Sequence, residues 1–465
     1  MHTQLNIGDF VDEQPMRRVS LGVFALCFLA MLSEGYDLGV VGLAAPGIVE
    51  TFAISRVQMA HIASAALFGM LVGAVISGFV GDRYGRKRGI WVSCLIIGIT
   101  CMACGLVNTP MELLCMRFLS GAGMGALLPN VGALLAEFLP KKVRASLLAF
   151  AFMGITTGGL FPGIVSYLVA GHDWRILFLV GGALPLVAVP LLIIFLPESL
   201  KFLALKGGHE QTLRIWVARL APDLKLSPDT RFVLKEAGIA GAATDRSLRG
   251  LFSGKLRWIT LALWLAFICV MLTNFFVNSW LTVALIDSGM SRDNAAIVSS
   301  FYYAGGICGG LVVGPALDRL GSSVMPLYAL LGAATLPLTG LAGADVVASA
   351  ICVFVVGFSI LGFQVGMSSC TSLIYPTDKR SRGTGLAFAV GRLGAISGPL
   401  IGGALMVRGH EALELFSVPA IPFLIAGFCF MFITVAWTGR LRGMALSRMS
   451  QGAPVSRPLE QGADL

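Results

Sequence analysis

Charged side chains are scarce in this sequence, since Asp, Glu, Lys and Arg together make up only 13% of its 465 residues. A soluble globular domain carries about 25%. Hydrophobic residues account for 56% of the chain, and its mean hydropathy is +0.83. Folding in water would leave much of this apolar surface uncovered, so the composition excludes a soluble protein and predicts that lipid surrounds most of the chain.

Patterns typical of a metal centre or of an enzyme are lacking as well. Most of the ten cysteines lie inside apolar segments, where cysteine behaves as a small hydrophobic residue. Cys101 and Cys104 form a CxxC pair, but no second ligand pair completes the tetrahedral set that a structural zinc site needs. The sequence contains neither a catalytic triad nor a phosphate-binding loop. It therefore predicts no cofactor, no metal and no enzymatic activity.

Long apolar stretches dominate the chain, and about 20 such residues are enough to cross the hydrocarbon core as a helix. Twelve stretches qualify, at about 19–43, 57–80, 89–107, 112–136, 145–170, 175–196, 258–286, 294–316, 323–342, 346–373, 383–406 and 414–437. We expect an all-α membrane protein of twelve transmembrane helices in two six-helix halves. The predicted parts are a first half at 1–196, a polar central loop at 197–257, a second half at 258–440 and a tail at 441–465.

Positive charge is distributed very unevenly over the predicted loops. If both termini are cytoplasmic, 28 of the 34 Lys and Arg residues lie on the inner segments, four lie on the outer loops, and Arg117 and Arg392 lie within spans. An excess of Lys and Arg marks the cytoplasmic side of a membrane protein. The net charge of +9 therefore reflects topology and not a nucleic-acid partner. We expect a multi-pass protein of the bacterial inner membrane with both termini in the cytoplasm.

The two predicted halves resemble each other in sequence. Residues 78–85, which follow span 2, match residues 314–321 after span 8, at an offset of 236 positions. The loop at 140–144 after span 4 likewise resembles residues 376–382 after span 10. Parallel repeats of this kind are found in secondary transporters, where the substrate binds near the midplane between the halves and rocking alternates access.

A basic loop follows span 2, with Gly-Asp-Arg-Tyr-Gly-Arg-Lys-Arg at residues 81–88. This loop resembles the signature of the major facilitator superfamily, which implies a cytoplasmic gate in which Asp82 faces a helix N-terminus of the other half. The alternative is an ordinary basic loop of the inner face. The predicted gating residues are Gly78, Asp82, Arg83, Gly85, Arg86, Lys87, Asp318, Arg319, Arg380 and Arg382.

An ordered set of further motifs resembles the aromatic acid/proton symporters of that superfamily over essentially the whole chain. The motifs are Glu34-Gly-Tyr-Asp37, the span 4 run from Arg117 to Gly125, Leu196-Pro-Glu-Ser199, the loop from Tyr375 to Gly385, and Gly391-Arg-Leu-Gly394. Glu34 replaces the first Asp of the family's motif. The resemblance implies proton-coupled uptake of hydroxybenzoates or hydroxyphenylpropionates by a monomer in the lipid bilayer, with no nucleic acid.

Ionisable residues inside a membrane span are costly unless they face a partner or a wet cavity. Glu34 and Asp37 lie three residues apart on one face of span 1, and we expect them, with Arg117 and Glu137, to take part in proton coupling. Asp37 is expected to be the principal proton carrier, with Glu34 as its neighbour on the same face. Arg392 is expected to bind the substrate carboxylate through its guanidinium group. The alternatives are a structural salt bridge of Asp37 with Arg117 or Arg392, and for Glu137 pairing with the nearby cations at 141–144.

Aromatic and amide side chains are concentrated on span 7. Asn274, Phe275 and Asn278 lie within two turns, and we expect them, with Tyr36 of span 1, to form a wall for an aromatic ring and its hydroxyls. The alternative is that these side chains only glue helices together. The competing functions are a major facilitator carrier of another organic acid or a sugar, a drug-exporting antiporter, and a sensor without transport.

Overall fold

The computed structural model describes residues 4–169, 173–222, 224, 230–233, 251–252, 254, 256–375, 380–408 and 412–450. At 78–80, 82, 145, 372–373, 380–382, 412 and 437–450 the description covers the backbone only. Four of the predicted gating residues are therefore described by their backbone only: Gly78, Asp82, Arg380 and Arg382.

Helices account for nearly all of the described chain. They are α1 (Ile7–Glu13), α2 (Arg18–Phe52), α3 (Arg56–Tyr84), α4 (Arg86–Cys104), α5 (Pro110–Phe138), α6 (Arg144–Leu168), α7 (Arg175–Phe195), α8 (Leu200–Lys206), α9 (Glu210–Leu220), α10 (Leu256–Asp287), α11 (Arg292–Leu320), α12 (Val324–Ala342), α13 (Val346–Ile374), α14 (Arg380–Val407), α15 (Ala412–Ser417) and α16 (Ala420–Ser450). Two short strands, β1 (Gln4–Asn6) and β2 (Arg231–Val233), pair in parallel.

Eleven helical segments of the described chain are long and apolar enough to cross a membrane. One of them, Arg292–Ala342, contains two helices, α11 and α12, which are joined by a single 3-10 turn at Gly321–Ser323. Predicted spans 1–6 thus correspond to α2–α7, spans 7–11 to α10–α14, and span 12 to α16. The predicted all-α membrane fold is confirmed.

Glycines allow the long helices to approach one another closely. A Cβ added to Gly121 or Gly125 of α5 would clash with the backbone of α3, and one added to Gly35 of α2 would clash with α6. In lipid there is little hydrophobic force between helices, so close backbone packing of small residues has to hold them together. This explains why so apolar a chain is also rich in glycine.

The two halves meet along α2–α10, α3–α14 and α6–α11. At one end the contact is tight: Ser64 of α3 donates a hydrogen bond of 3.0 Å to the carbonyl of Ile396 in α14, and a Cβ on Gly163 would clash with Ser300. Near the other end a Cβ on Gly314 or Gly385 would meet no atom within 4 Å. The hydrogen bonds that join described residues of the two halves lie toward the first end or near the middle of the seam. We call the first the closed end, where α2 ends and α3 begins, and the second the open end.

A small layer of non-spanning elements covers the first half at the open end. Ile7, Phe10 and Val11 of α1 are buried, and Asp12 forms an ion pair with Arg144 at the start of α6. β1 pairs with β2, which belongs to the predicted central loop, and α8 and α9 come from the same loop. The sequence predicts only a polar loop here, so this packing comes from the structure alone.

Candidate functional site

A fully buried ion pair lies inside the first half. Arg117 of α5 donates from Nη1 to Oδ2 of Asp37 in α2 over 2.8 Å, and from Nη2 to the Asp37 carbonyl over 3.3 Å. Ser120 donates to the same Oδ2 over 3.0 Å. Both charged residues are only 1% exposed. Of the two alternatives for Asp37, the structure therefore selects Arg117, because an ionised group at this depth needs a bonded counter-charge.

Glu34, one turn before Asp37, has a different environment. It is 1% exposed, and its Oε2 has no hydrogen-bond partner among the described residues. Arg392 of α14, in the other half, lies within electrostatic range of Glu34. Arg392 donates to the weakly accepting Sδ of Met70 over 3.2 Å. Each half thus contributes one of these two charged groups, and no ion pair within the described chain joins them.

The first amide of span 7 belongs to a three-residue network in the second half. Tyr302 of α11 donates to Oδ1 of Asn274 over 2.7 Å, and Asn274 donates from Nδ2 to Oε1 of Gln364 in α13 over 2.9 Å. Tyr302 is buried, whereas Gln364 is only partly so. The Gln364 amide nitrogen, which carries two donors, has no recorded partner within the described residues. The network thus holds a free donor group on α13.

The second amide of span 7 crosses the seam. Asn278 donates to the carbonyl of Leu38 in α2 over 3.4 Å and accepts from the hydroxyl of Tyr303 over 2.8 Å. The Tyr303 ring rests against Gly159 of α6, where an added Cβ would clash with it. Asn278 and Tyr303 therefore close the space between the halves on the side of the closed end.

Two predicted wall residues occupy positions of a different kind. The Tyr36 hydroxyl donates to the carbonyl of Leu177 in α7 over 3.0 Å, and its ring packs on Gly181. Tyr36 is thus buried within the first half and does not join the seam residues. Phe275 is partly buried and packs against the apolar core. The structure does not bring these two rings together.

Glu137 lies near the open end, far along α5 from the Arg117 pair. It accepts a hydrogen bond from the hydroxyl of Ser199, which also caps α8. The alternative partner for Glu137 was the cation cluster at 141–144, but the ion pair of Arg144 is made with Asp12. Glu137 therefore ties α5 to the loop after α7, and the interpretation that it pairs with Arg144 is wrong.

Glu198 is a functional candidate that sequence reasoning missed. Its Oε1 accepts hydrogen bonds from the backbone of Lys87, over 3.0 Å, and of Ser199, over 2.9 Å. This places a carboxylate on the N-terminus of α4, where the helix dipole favours negative charge. Gly85 precedes α4 with φ of 99°, and a Cβ there would clash with the Glu198 carboxylate. The Leu-Pro-Glu-Ser motif after span 6 was the available signal.

Other predicted gating side chains lie at the open end. Arg83, Asp318 and Arg319 are exposed. Arg86 starts α4 and lies within electrostatic range of Glu137. The anion that contacts the α4 N-terminus, Glu198, comes from the same half as α4.

No group of three or more His, Cys, Asp or Glu side chains within the described chain is placed to hold a metal ion. The CxxC residues are buried, and Cys101 donates its thiol to the Phe178 carbonyl over 3.5 Å. The chemistry of this region is therefore that of paired charges and amides.

Most of the chain is similar in sequence to known membrane transporters. The family model of the Major Facilitator Superfamily matches residues 27–399 and 263–450. The chain is 32% identical to a gallate transporter of Pseudomonas putida, over 90% of this chain and 92% of that protein. It is also 32% identical to a 3-(3-hydroxy-phenyl)propionate transporter of Escherichia coli strain K12, over 90% of this chain and 95% of that protein.

Among solved structures, the inward-open xylose transporter of E. coli is similar with a TM-score of 0.68 at 16% identity. The match covers 89% of this chain and 95% of that chain. At this identity the similarity concerns the fold alone.

Proposed function

Because this chain belongs to the Major Facilitator Superfamily, and is therefore a transporter and not an enzyme, we propose that it takes up small aromatic carboxylates together with protons. Relatives named for gallate and 3-(3-hydroxy-phenyl)propionate transport support this substrate class. Both substrates combine one carboxylate with a hydroxylated ring. The observation that carries the proposal is the unbonded Glu34 and Arg392 at the seam.

The open end is proposed to face the cytoplasm of a bacterium, with the chain in the inner membrane. The basic loop at 85–88 and the layer formed by α1, α8 and α9 lie at this end. Lys and Arg are retained on the cytoplasmic side. We further propose a monomer, because residues from both halves of one chain form the site.

Arg392 is proposed to bind the substrate carboxylate. Among the described residues its guanidinium group has only the Met70 thioether as an acceptor, so it retains donors that can form paired, charge-assisted hydrogen bonds with a carboxylate. Arg117 lacks this freedom, because Asp37 already holds it. The free amide nitrogen of Gln364 is proposed to meet a ring hydroxyl.

Glu34 is proposed as the principal proton carrier in place of Asp37, which the sequence favours, because Asp37 is already bonded to Arg117 in the buried pair that fixes α2 against α5. An unpaired ionised carboxylate costs several kcal/mol inside a membrane. When a substrate carboxylate binds Arg392, this cation no longer offsets the charge of Glu34, which then has to bind a proton. Substrate and proton are thereby coupled through one guanidinium group.

The test is uptake of labelled benzoate, 4-hydroxybenzoate, gallate and 3-phenylpropionate into proteoliposomes that contain the purified protein. A gradient of one pH unit is equivalent to about 1.4 kcal/mol, so one proton per substrate anion should concentrate the substrate about tenfold. Glu34→Gln should abolish this accumulation while counterflow exchange continues. Glu112→Gln, at an exposed cap of α5, is the matched control.

Sodium-dependent accumulation without a response to pH would refute the proton coupling. Exchange of xylose but of none of the four acids would refute the substrate class. If Glu34→Gln still accumulated substrate with the wild-type pH response, Glu34 would not be the carrier.

A further inference from the structure

Two ion pairs join the halves at the closed end. Arg56, the first residue of α3, forms a two-point contact with Asp287, the last residue of α10, with N–O distances of 2.6 and 2.9 Å. Arg292, the first residue of α11, pairs with Glu50 near the end of α2. Each half thus contributes one arginine and one acid. The arginine comes from the first half in one pair and from the second half in the other.

The internal repeat of the chain explains this reciprocity. Arg292 follows Arg56 by 236 positions, which is also the offset between Gly78 and Gly314 in the repeated loops. Asp287 follows Glu50 by 237 positions. The same arrangement, an acid at the end of one helix and an arginine at the start of the next, therefore occurs once in each half. The two copies face each other across the pseudo-twofold axis.

The pairs lie on the solvent side of the apolar seam. The side chains of Arg56 and Asp287 are 35% and 39% exposed, and those of Arg292 and Glu50 are 61% and 68% exposed. A cavity of about 420 Å³ reaches Glu50 and Arg292 and is lined by residues of both halves. Ion pairs as open to water as these are individually weak, so they can bias a closed end without locking it.

We propose that Arg56, Asp287, Arg292 and Glu50 form a charge latch that holds the closed end shut. All four belong to helix ends that must separate when the closed end opens, so the latch breaks once in every cycle. Its role is to set the ratio of the inward-facing to the outward-facing state, whichever substrate is carried.

The latch can be tested with a cysteine placed beneath it. Ser64 is 6% exposed at the α3–α14 seam, so Ser64→Cys should react slowly with a membrane-impermeant maleimide added from the outside. Reversing one charge in Arg292→Glu turns attraction to Glu50 into repulsion, and we expect labelling roughly threefold to tenfold faster. The swapped double variant, Glu50→Arg with Arg292→Glu, should return the rate toward that of Ser64→Cys alone.

Controls separate the latch from a general change of charge. Arg408→Glu makes the same charge change at an exposed position of the closed end, and it should leave the labelling rate unchanged. The parent protein without Ser64→Cys gives the background from native cysteines, of which Cys115 and Cys308 are exposed. Arg292→Gln is a milder variant, with a smaller increase expected, if the reversal prevents insertion.

Equal labelling of Ser64→Cys with and without Arg292→Glu would overturn the proposal. So would a double variant that labels as fast as the single reversal, because that result would assign the effect to local damage. Failure of aromatic acid uptake would leave these measurements unaffected.

Discussion

Asp37→Asn removes one charge from the buried pair and leaves the Arg117 guanidinium with a neutral amide. The pair is 1% exposed on both sides, and two hydrogen bonds converge on the lost carboxylate oxygen, at 2.8 Å from Arg117 and 3.0 Å from Ser120. An amide oxygen still accepts hydrogen bonds, but it cannot neutralise the cation. The change therefore creates a buried charge without a counter-charge.

Removing one partner of a buried ion pair costs about 3–5 kcal/mol. The retained amide oxygen favours the lower figure, so we expect a loss of about 3 kcal/mol, which corresponds to a roughly hundredfold rise in the unfolded fraction. Glu34→Gln removes no ion pair and should change stability by less than about 1 kcal/mol. Substitution of two acids one turn apart should thus have clearly different effects on the stability of the protein.

Unfolding of the purified protein in detergent, followed by the loss of helical signal, measures the difference. The double variant Asp37→Asn with Arg117→Gln removes both charges, and it should recover a large part of the lost stability, because the energies of neighbouring residues are not additive. The control for Asp37→Asn is Arg56→Gln, which breaks a partly exposed ion pair and should lower the stability by at most about 1 kcal/mol.

A stability of Asp37→Asn within experimental error of the wild type would refute this account of the pair. Asp37 would then be free to act as the proton carrier. Loss of pH-driven accumulation in a stable Asp37→Asn variant, with normal accumulation in Glu34→Gln, would exchange the roles that we assign to the two acids.

Three further predictions concern the substrate site and the open end. Arg392→Lys should reduce uptake strongly at normal expression, because an ammonium group cannot grip a carboxylate in two-point fashion. Gln364→Leu should raise the KM for 4-hydroxybenzoate by roughly twofold to tenfold through loss of one hydrogen bond, and should leave the KM for benzoate unchanged. Gly85→Val should lower turnover far more than affinity, because its Cβ displaces Glu198 from the α4 N-terminus and its φ of 99° is strained.

Matched substitutions exist for each of these predictions. Arg408→Lys and Gly22→Val lie on exposed surfaces, and a Cβ on Gly22 would meet no atom within 4 Å. Thr335→Val lies at a partly exposed position of α12. Normal uptake by Arg392→Lys would reduce Arg392 to a structural charge. Equal effects of Gln364→Leu on both acids, or a pure KM effect of Gly85→Val, would contradict the corresponding assignments.

Much of this protein follows from its sequence because hydropathy is a local property. The apolar stretches predicted all twelve long helices, and only the short turn at Gly321–Ser323 merges two of them. The ordered motifs identified the superfamily and the aromatic acid transporters within it, which the comparisons confirm. They also identified Glu34, Asp37, Arg117 and Arg392 as the ionisable residues at depth.

Only the tertiary structure decided which of these residues touch, because contacts depend on how each helix is rotated and paired. Asp37 could pair with Arg117 or Arg392 by sequence, and the packing of α2 on α5 selected Arg117. Tyr36 stands between Glu34 and Asp37 in the chain, yet it points into the first half toward α7. By sequence, Arg56 and Arg292 are merely two of the four cations on the predicted outer loops. The folding of two similar halves against each other turned them into opposite members of one latch.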